Sequence, residues 1–160
     1  MFRELLLPLA IAVLLALRDE GNPLPAGAVC FSPWFDLTLS GESVSGNAKL
    51  DPVLSGSVLK SYAEQYAGSH GVDDPLVSPL FAELRGLPPV YIQTGSREIL
   101  LDDAARFCQK AQMAGVDARL DVWDSMFHVF QLIPLLPQSA AALKAVREFI
   151  ECVITRRNRE

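Results

Sequence analysis

Histidine is scarce in this chain: there are two, His70 and His128, with no His-x-x-x-His spacing. That argues against a metal enzyme, because zinc sites draw on clustered His, Cys and carboxylate ligands. Cysteine is scarce as well. Cys30, Cys108 and Cys152 lie far apart with no Cys-x-x-Cys pair, which argues against a disulfide framework or a zinc ribbon. They read as buried free thiols in a reducing compartment, so a cytoplasmic location is the expectation. No block of basic residues occurs, and 14 Lys and Arg stand against 19 Asp and Glu for a net charge of −5. Nucleic acid is therefore not an expected partner. No internal repeat and no low-complexity tract interrupts the pattern. The longest apolar run, Leu5 to Leu17, contains Pro8 and is too short to span a bilayer comfortably, so a membrane is not an expected partner either.

Apolar residues are plentiful. Half of the 160 residues are hydrophobic, enough for a core, and the length suits one domain or a piece of one. Leu5 to Leu17 follows Arg3 and can pass for the core of an export signal. It lacks a small-x-small cleavage site, and an all-round apolar helix is also what a buried helix looks like. Gly21 offers a C-cap and Pro23 a stop. Ala26 to Phe31 is a short continuous apolar run, suited to a strand covered on both faces. Leu50 to Tyr66 predicts a helix, with Asp51 as N-cap and Pro52 in the first turn. Val90 to Thr94 predicts a second buried strand. Asp102 to Ala114 predicts a helix, with Ala104, Phe107, Cys108 and Ala111 on one face and Gly115 closing it. Ala118 to Val122 alternates, as an edge strand does. Ser139 to Thr155 predicts an amphipathic helix with Leu143, Val146, Ile150 and Val153 on its stripe, ahead of a charged tail over residues 151–160. The alternation of helix and strand predicts the α/β class: about three parallel strands with helices on both faces, in a single domain over residues 1–160.

Within this order the stretch from Leu87 to Phe130 carries the chemistry. Leu87-Pro88-Pro89-Val90-Tyr91-Ile92-Gln93-Thr94-Gly95-Ser96-Arg97-Glu98 is a strand running into a turn with a carboxylate. Trp123-Asp124-Ser125-Met126-Phe127-His128-Val129-Phe130 ends the next strand in a turn with an imidazole. In open parallel sheets, ligands gather beyond the carboxyl ends of the strands, so these turns are candidates to meet in space. The acids near that end are Glu98, Asp102, Asp103 and Asp124. Asp102 and Asp103 also suit the first turn of a helix, where the dipole favours negative charge.

The chain resembles the carboxy-terminal part of the hormone-sensitive-lipase-like α/β-hydrolases, a family of esterases. The resemblance runs from about Leu9 to Ile150. Its most specific pieces are Leu14-Leu15-Ala16-Leu17-Arg18-Asp19-Glu20-Gly21, Ser32-Pro33-Trp34-Phe35-Asp36-Leu37-Thr38, Ser78-Pro79-Leu80, Gly86-Leu87-Pro88-Pro89 and the Glu98 and His128 turns. It implies carboxylic ester hydrolysis through a Ser-His-acid triad, with His128 as base and Glu98 as acid where the family more often has aspartate. Asp102 is the alternative acid. It also implies that Leu9 to Leu17 is the buried helix that follows the nucleophile, and that residues 32–89 cover a small ester substrate. No cofactor and no metal is implied.

One triad member is missing from the sequence. Gly-x-Ser-x-Gly occurs nowhere, and the nearest miss, Gly41-Glu42-Ser43-Val44-Ser45, lacks the second glycine and lies in a loop. The His-Gly-Gly-Gly oxyanion loop is absent too, His70-Gly71 being an isolated pair. Where the family places the serine, the chain has Met1-Phe2-Arg3-Glu4-Leu5-Leu6-Leu7. The expectation is a partial α/β-hydrolase fold without the amino-terminal strands and nucleophile elbow, truncated or frame-shifted in origin and inactive alone. Its first strand is expected to expose an edge prone to self-association. The alternatives are a non-catalytic α/β domain that binds a partner, and an exported protein using Leu5 to Leu17 as its signal.

Overall fold

The structure, a computed structural model, describes residues 9–159. The Met1 to Leu7 stretch and the start of the Leu5 to Leu17 run that overlaps it lie outside the described residues. Helix α1 covers Leu9–Asp19 and turns Ile11, Leu14 and Leu15 inward. It ends in a Schellman motif: Gly21 takes φ 71°, its N–H donates to Arg18 O (3.0 Å), and Asn22 N–H donates to Leu17 O (2.8 Å). Strand β1 (Ala28–Phe31) follows, then a short helix α2 (Ser43–Gly46) and helix α3 (Gly56–Ala67). After a 3-10 turn at Pro79–Phe81 come strand β2 (Val90–Gly95), helix α4 (Leu101–Met113) and strand β3 (Ala118–Trp123). A 3-10 turn at Phe130–Leu132 leads into helix α5 (Pro137–Arg157).

The three strands form one parallel sheet in the order β1-β2-β3, with Cys30 beside Ile92, Ile92 beside Leu120 and Gly95 beside Trp123. This is a partial α/β-hydrolase sheet with helices on both faces. Every residue of β2 is buried, as its continuous apolar run requires of a strand covered on both sides. On one face Val90 and Ile92 pack with Leu14 and Leu15 of α1 and with Ala104, Phe107, Cys108 and Ala111 of α4. The Phe107 ring stacks on Phe35 with centroids 4.1 Å apart, and burying a side chain of that size contributes about 1.5–3 kcal/mol. On the other face Tyr91 meets Phe149 of α5, and Gln93 Nε2 donates to Ala142 O (3.0 Å).

Several local expectations change. Cys30 and Cys108 are buried free thiols as expected, but Cys152 lies exposed on α5. The helix expected from Leu50 starts at Gly56. Asp51 does not cap it. Its Oδ1 accepts the amides of Val53 (2.9 Å) and Leu54 (3.0 Å), and its Oδ2 accepts Ile99 N–H (3.0 Å) from the turn after β2. An Asx-type turn that also satisfies a buried amide outcompetes a helix N-cap there. In α5 the buried residues are Ser139, Ala142, Val146 and Val153, whereas Leu143 (47%) and Ile150 (41%) stay exposed. The helix is set by Phe149 against Tyr91 and by Ala142 against Gln93, a seating that leaves Leu143 and Ile150 facing outward. In β3 the alternation is imperfect: Val122 is exposed and Asp121 half-buried, because Asp121 accepts a hydrogen bond from the Tyr91 hydroxyl.

Candidate active site

The carboxyl ends of β2 and β3 sit side by side, and the turns that leave them are stitched together through the backbone. Ser96 N–H donates to Trp123 O (2.9 Å) and Arg97 N–H to Met126 O (3.1 Å). Gly95 makes that approach possible. A Cβ there would collide with Met126 O and its carbonyl carbon and stand 2.9 Å from Phe127 N, so only glycine lets the two turns close. Glu98 lies in the turn that follows β2 and His128 in the turn that follows β3.

Glu98 is fully buried and His128 nearly so (3% exposed). His128 Nδ1 lies 3.1 Å from Glu98 Oε2. A carboxylate only accepts, so the proton of this bond sits on Nδ1 and the lone pair on Nε2. Nε2 is buried and has no hydrogen-bond partner among the described residues. The other carboxylate oxygen, Oε1, accepts the Ser32 hydroxyl (2.7 Å) and the Gly95 amide. The Glu98 backbone is pinned as well, Asn47 Nδ2 donating to Glu98 O (2.8 Å) and Ser96 O (3.2 Å). The long connection over residues 32–89 thus packs around the acid turn. Its Trp34, Leu37, Leu54 and Leu59 join Ile99 and Leu100, the residues after Glu98, in one apolar cluster.

The histidine turn is held from below. Val129 adopts φ 52°, a rare conformation for a β-branched residue. Ser139 Oγ donates to Phe130 O (2.7 Å), and Gln131 Nε2 donates to Gln93 Oε1 (3.2 Å). Gln93 in turn donates to Tyr91 Oη (2.9 Å). A buried polar chain therefore runs from β2 to the turn after His128.

The other acids are elsewhere. Asp102 accepts Ser43 N–H (2.8 Å) and Ser43 Oγ accepts Asp102 N–H (3.1 Å), so both are occupied in tying α4 to the loop. Ser43 also donates to Ile99 O (2.8 Å), a structural contact. Asp103 is buried at the start of α4 and accepts the amides of Phe35 (2.9 Å) and Asp36 (2.8 Å). Burial, assisted by the charge of Asp36, pushes its carboxyl up to about 8 against those two hydrogen bonds. Asp36 goes the other way. Burial acts to raise it, but hydrogen bonds from Ser40, Thr38 and Arg106 outweigh burial and hold it below the usual carboxylate range. Asp124 is exposed beside Ser125, and His70 is exposed beside Asp74. Among the described residues no three His, Cys, Asp or Glu side chains gather as a metal would require, and no helix is long and apolar enough to cross a membrane.

Ser32, Asn47, Asp51 and Gly95 escape a reading of the sequence. Gly95 leaves a trace there as a glycine ending a buried strand, Ser32 only as part of the Ser32–Thr38 resemblance and Asp51 only as an expected N-cap; the partners of Ser32, Asn47 and Asp51 lie dozens of residues away.

The structure thus pairs a carboxylate after one parallel strand with a histidine after the next, the arrangement expected of an α/β-hydrolase. The chain belongs to the α/β-hydrolase fold family, whose model matches residues 8–132. It is similar to an acetyl-hydrolase of Streptomyces hygroscopicus, 42% identical over 143 residues, which cover 89% of this chain and 48% of that protein. It is also similar to an esterase of Acinetobacter venetianus, at 40% identity over 88% of this chain and 47% of the relative. Among solved structures it resembles an esterase of the bacterial hormone-sensitive lipase family, with a TM-score of 0.89 and 46% identity over 92% of this chain and 50% of that one. The chain spans about half the length of the curated relatives it matches.

Proposed function

We propose that Glu98 and His128 are the acid and base of a carboxylic ester hydrolase, and that these 160 residues hold that pair without its nucleophile. The observation that carries the reading is the buried Nδ1–Oε2 contact of 3.1 Å with Nε2 left as an acceptor. An imidazole so held takes a proton from a serine hydroxyl through Nε2, and the carboxylate stabilises the imidazolium that forms. The fully buried, donor-lined setting of Glu98 favours that role over a surface ion pair. The curated relatives are an acetyl-hydrolase and an esterase, so short-chain carboxylic esters are the proposed substrate class.

The sequence contains neither Gly-x-Ser-x-Gly nor His-Gly-Gly-Gly, so hydroxyl and oxyanion donors must come from outside these residues. Without a nucleophile a triad retains only background rates from binding and the oxyanion hole, and the His-Gly-Gly-Gly loop that would supply that hole is absent from these residues too. The 160-residue chain is therefore expected to be inert by itself. The assay is p-nitrophenyl acetate hydrolysis by the purified chain and by its His128→Ala variant. Equal, background rates are expected. Turnover that vanishes in the variant contradicts the claim of inactivity.

A further inference from the structure

Ser32 is the first residue after β1 and is fully buried, with φ 46°. Its amide donates to Gln93 O (2.7 Å), which fixes its place at the end of the sheet. Its hydroxyl bridges the acid and the backbone of the turn that carries the base. Oγ lies 2.7 Å from Glu98 Oε1 and 2.9 Å from Val129 N. An amide N–H can only donate, so Oγ accepts from Val129 and the single hydroxyl proton points at Glu98. Val129 directly follows His128, and its left-handed backbone needs an anchor to persist. The Ser32 hydroxyl is the acceptor its amide has.

We propose that Ser32 is the positioning residue of the pair, a clamp that joins the acid turn to the histidine turn. With the hydroxyl in place, Glu98 Oε1 is occupied by Ser32 and Gly95, and Oε2 alone faces Nδ1. The imidazole is thereby kept in the tautomer with its proton on Nδ1. Without the hydroxyl, Oε1 keeps only the Gly95 amide, the part-buried Val129 N–H loses its acceptor, and the hold on the carboxylate that fixes the imidazole tautomer is loosened. The consequence for catalysis rests on the proposed function above; the effect on the imidazole does not.

The test is 15N NMR of the isolated chain. With only two histidines, the His128 signals are assigned by loss in His128→Ala. Glu98→Gln supplies the reference for the opposite tautomer, since its amide donates to an unprotonated Nδ1. In Ser32→Ala and in Ser32→Gly, which accepts positive φ without strain, Nδ1–H exchange with water should be at least about tenfold faster, the effect of losing about one hydrogen bond. The ring 15N shifts should move toward those of Glu98→Gln. Wild-type exchange and shifts in either variant overturn the proposal. Failure of both to fold, while Glu98→Gln folds, also overturns it by making Ser32 a residue of overall stability. Because the readout is tautomer and not turnover, failure to obtain ester hydrolysis would end the functional reading and leave this one standing.

Discussion

Asp103 shows how one carboxyl group can be structural at the place where chemistry is sought. It stands five residues after Glu98, in the first helix turn where the dipole favours negative charge, and it is buried and holds two loop amides. Its pKa rises from an ordinary 3.8 to about 8 on folding. The folded chain therefore binds more protons than the unfolded chain between those values. The stability contributed by Asp103 is full below about pH 3.8 and is lost as pH rises toward about 8. Asp103→Asn keeps an oxygen for both amides and removes the titration. Relative to wild type, the variant should gain stability across that window, by up to about 1.4 kcal/mol per pH unit, and level off above it. Urea denaturation of both proteins at several pH values between 5 and 9 checks this. A difference that is constant with pH would mean the carboxyl group titrates normally.

At the scale of elements, the sheet was legible because its strands are short apolar runs bounded by proline and glycine. β2 ends within one residue of its expected limit, and α4 buries the four residues that its spacing singles out. α5 was legible in extent and not in orientation. Its expected stripe of Leu143, Val146, Ile150 and Val153 ranks residues by hydrophobicity, but the sheet face it meets carries Tyr91 and Gln93, and the helix rolls to present Ser139 and Ala142. Two substitutions separate these descriptions. Val146→Ala should cost at least about 1 kcal/mol, as loss of a buried side chain does. Leu143→Ala should stay within about 0.5 kcal/mol of wild type, as exposed substitutions do. Equal costs would restore the stripe read from hydrophobicity alone. The connection over residues 32–89 was the least legible part. Asp51 and Asn47 act through partners close to 50 residues away, Ile99 and Glu98, and no local pattern encodes such contacts.

For the whole molecule, the sheet has β1 at one side, and among the described residues β1 pairs only with β2. The candidate pair was legible because strand-end residues separated by a helix land together in any right-handed crossover, and the sequence keeps one acid and one histidine at those ends. Its supporting shell was not, because Ser32 and Gly95 act through atoms that composition and spacing do not rank. On the proposed reading, Glu98 and His128 are the acid and the base of an ester hydrolase whose nucleophile hydroxyl is not among these residues. The most direct measurement mixes the chain with the half of a related esterase that it does not cover, and follows p-nitrophenyl ester hydrolysis against each part alone. The prediction is turnover only in the mixture, falling at least about a thousandfold in His128→Ala with binding of the two parts unchanged. A bound mixture whose turnover is indifferent to His128 would contradict the account.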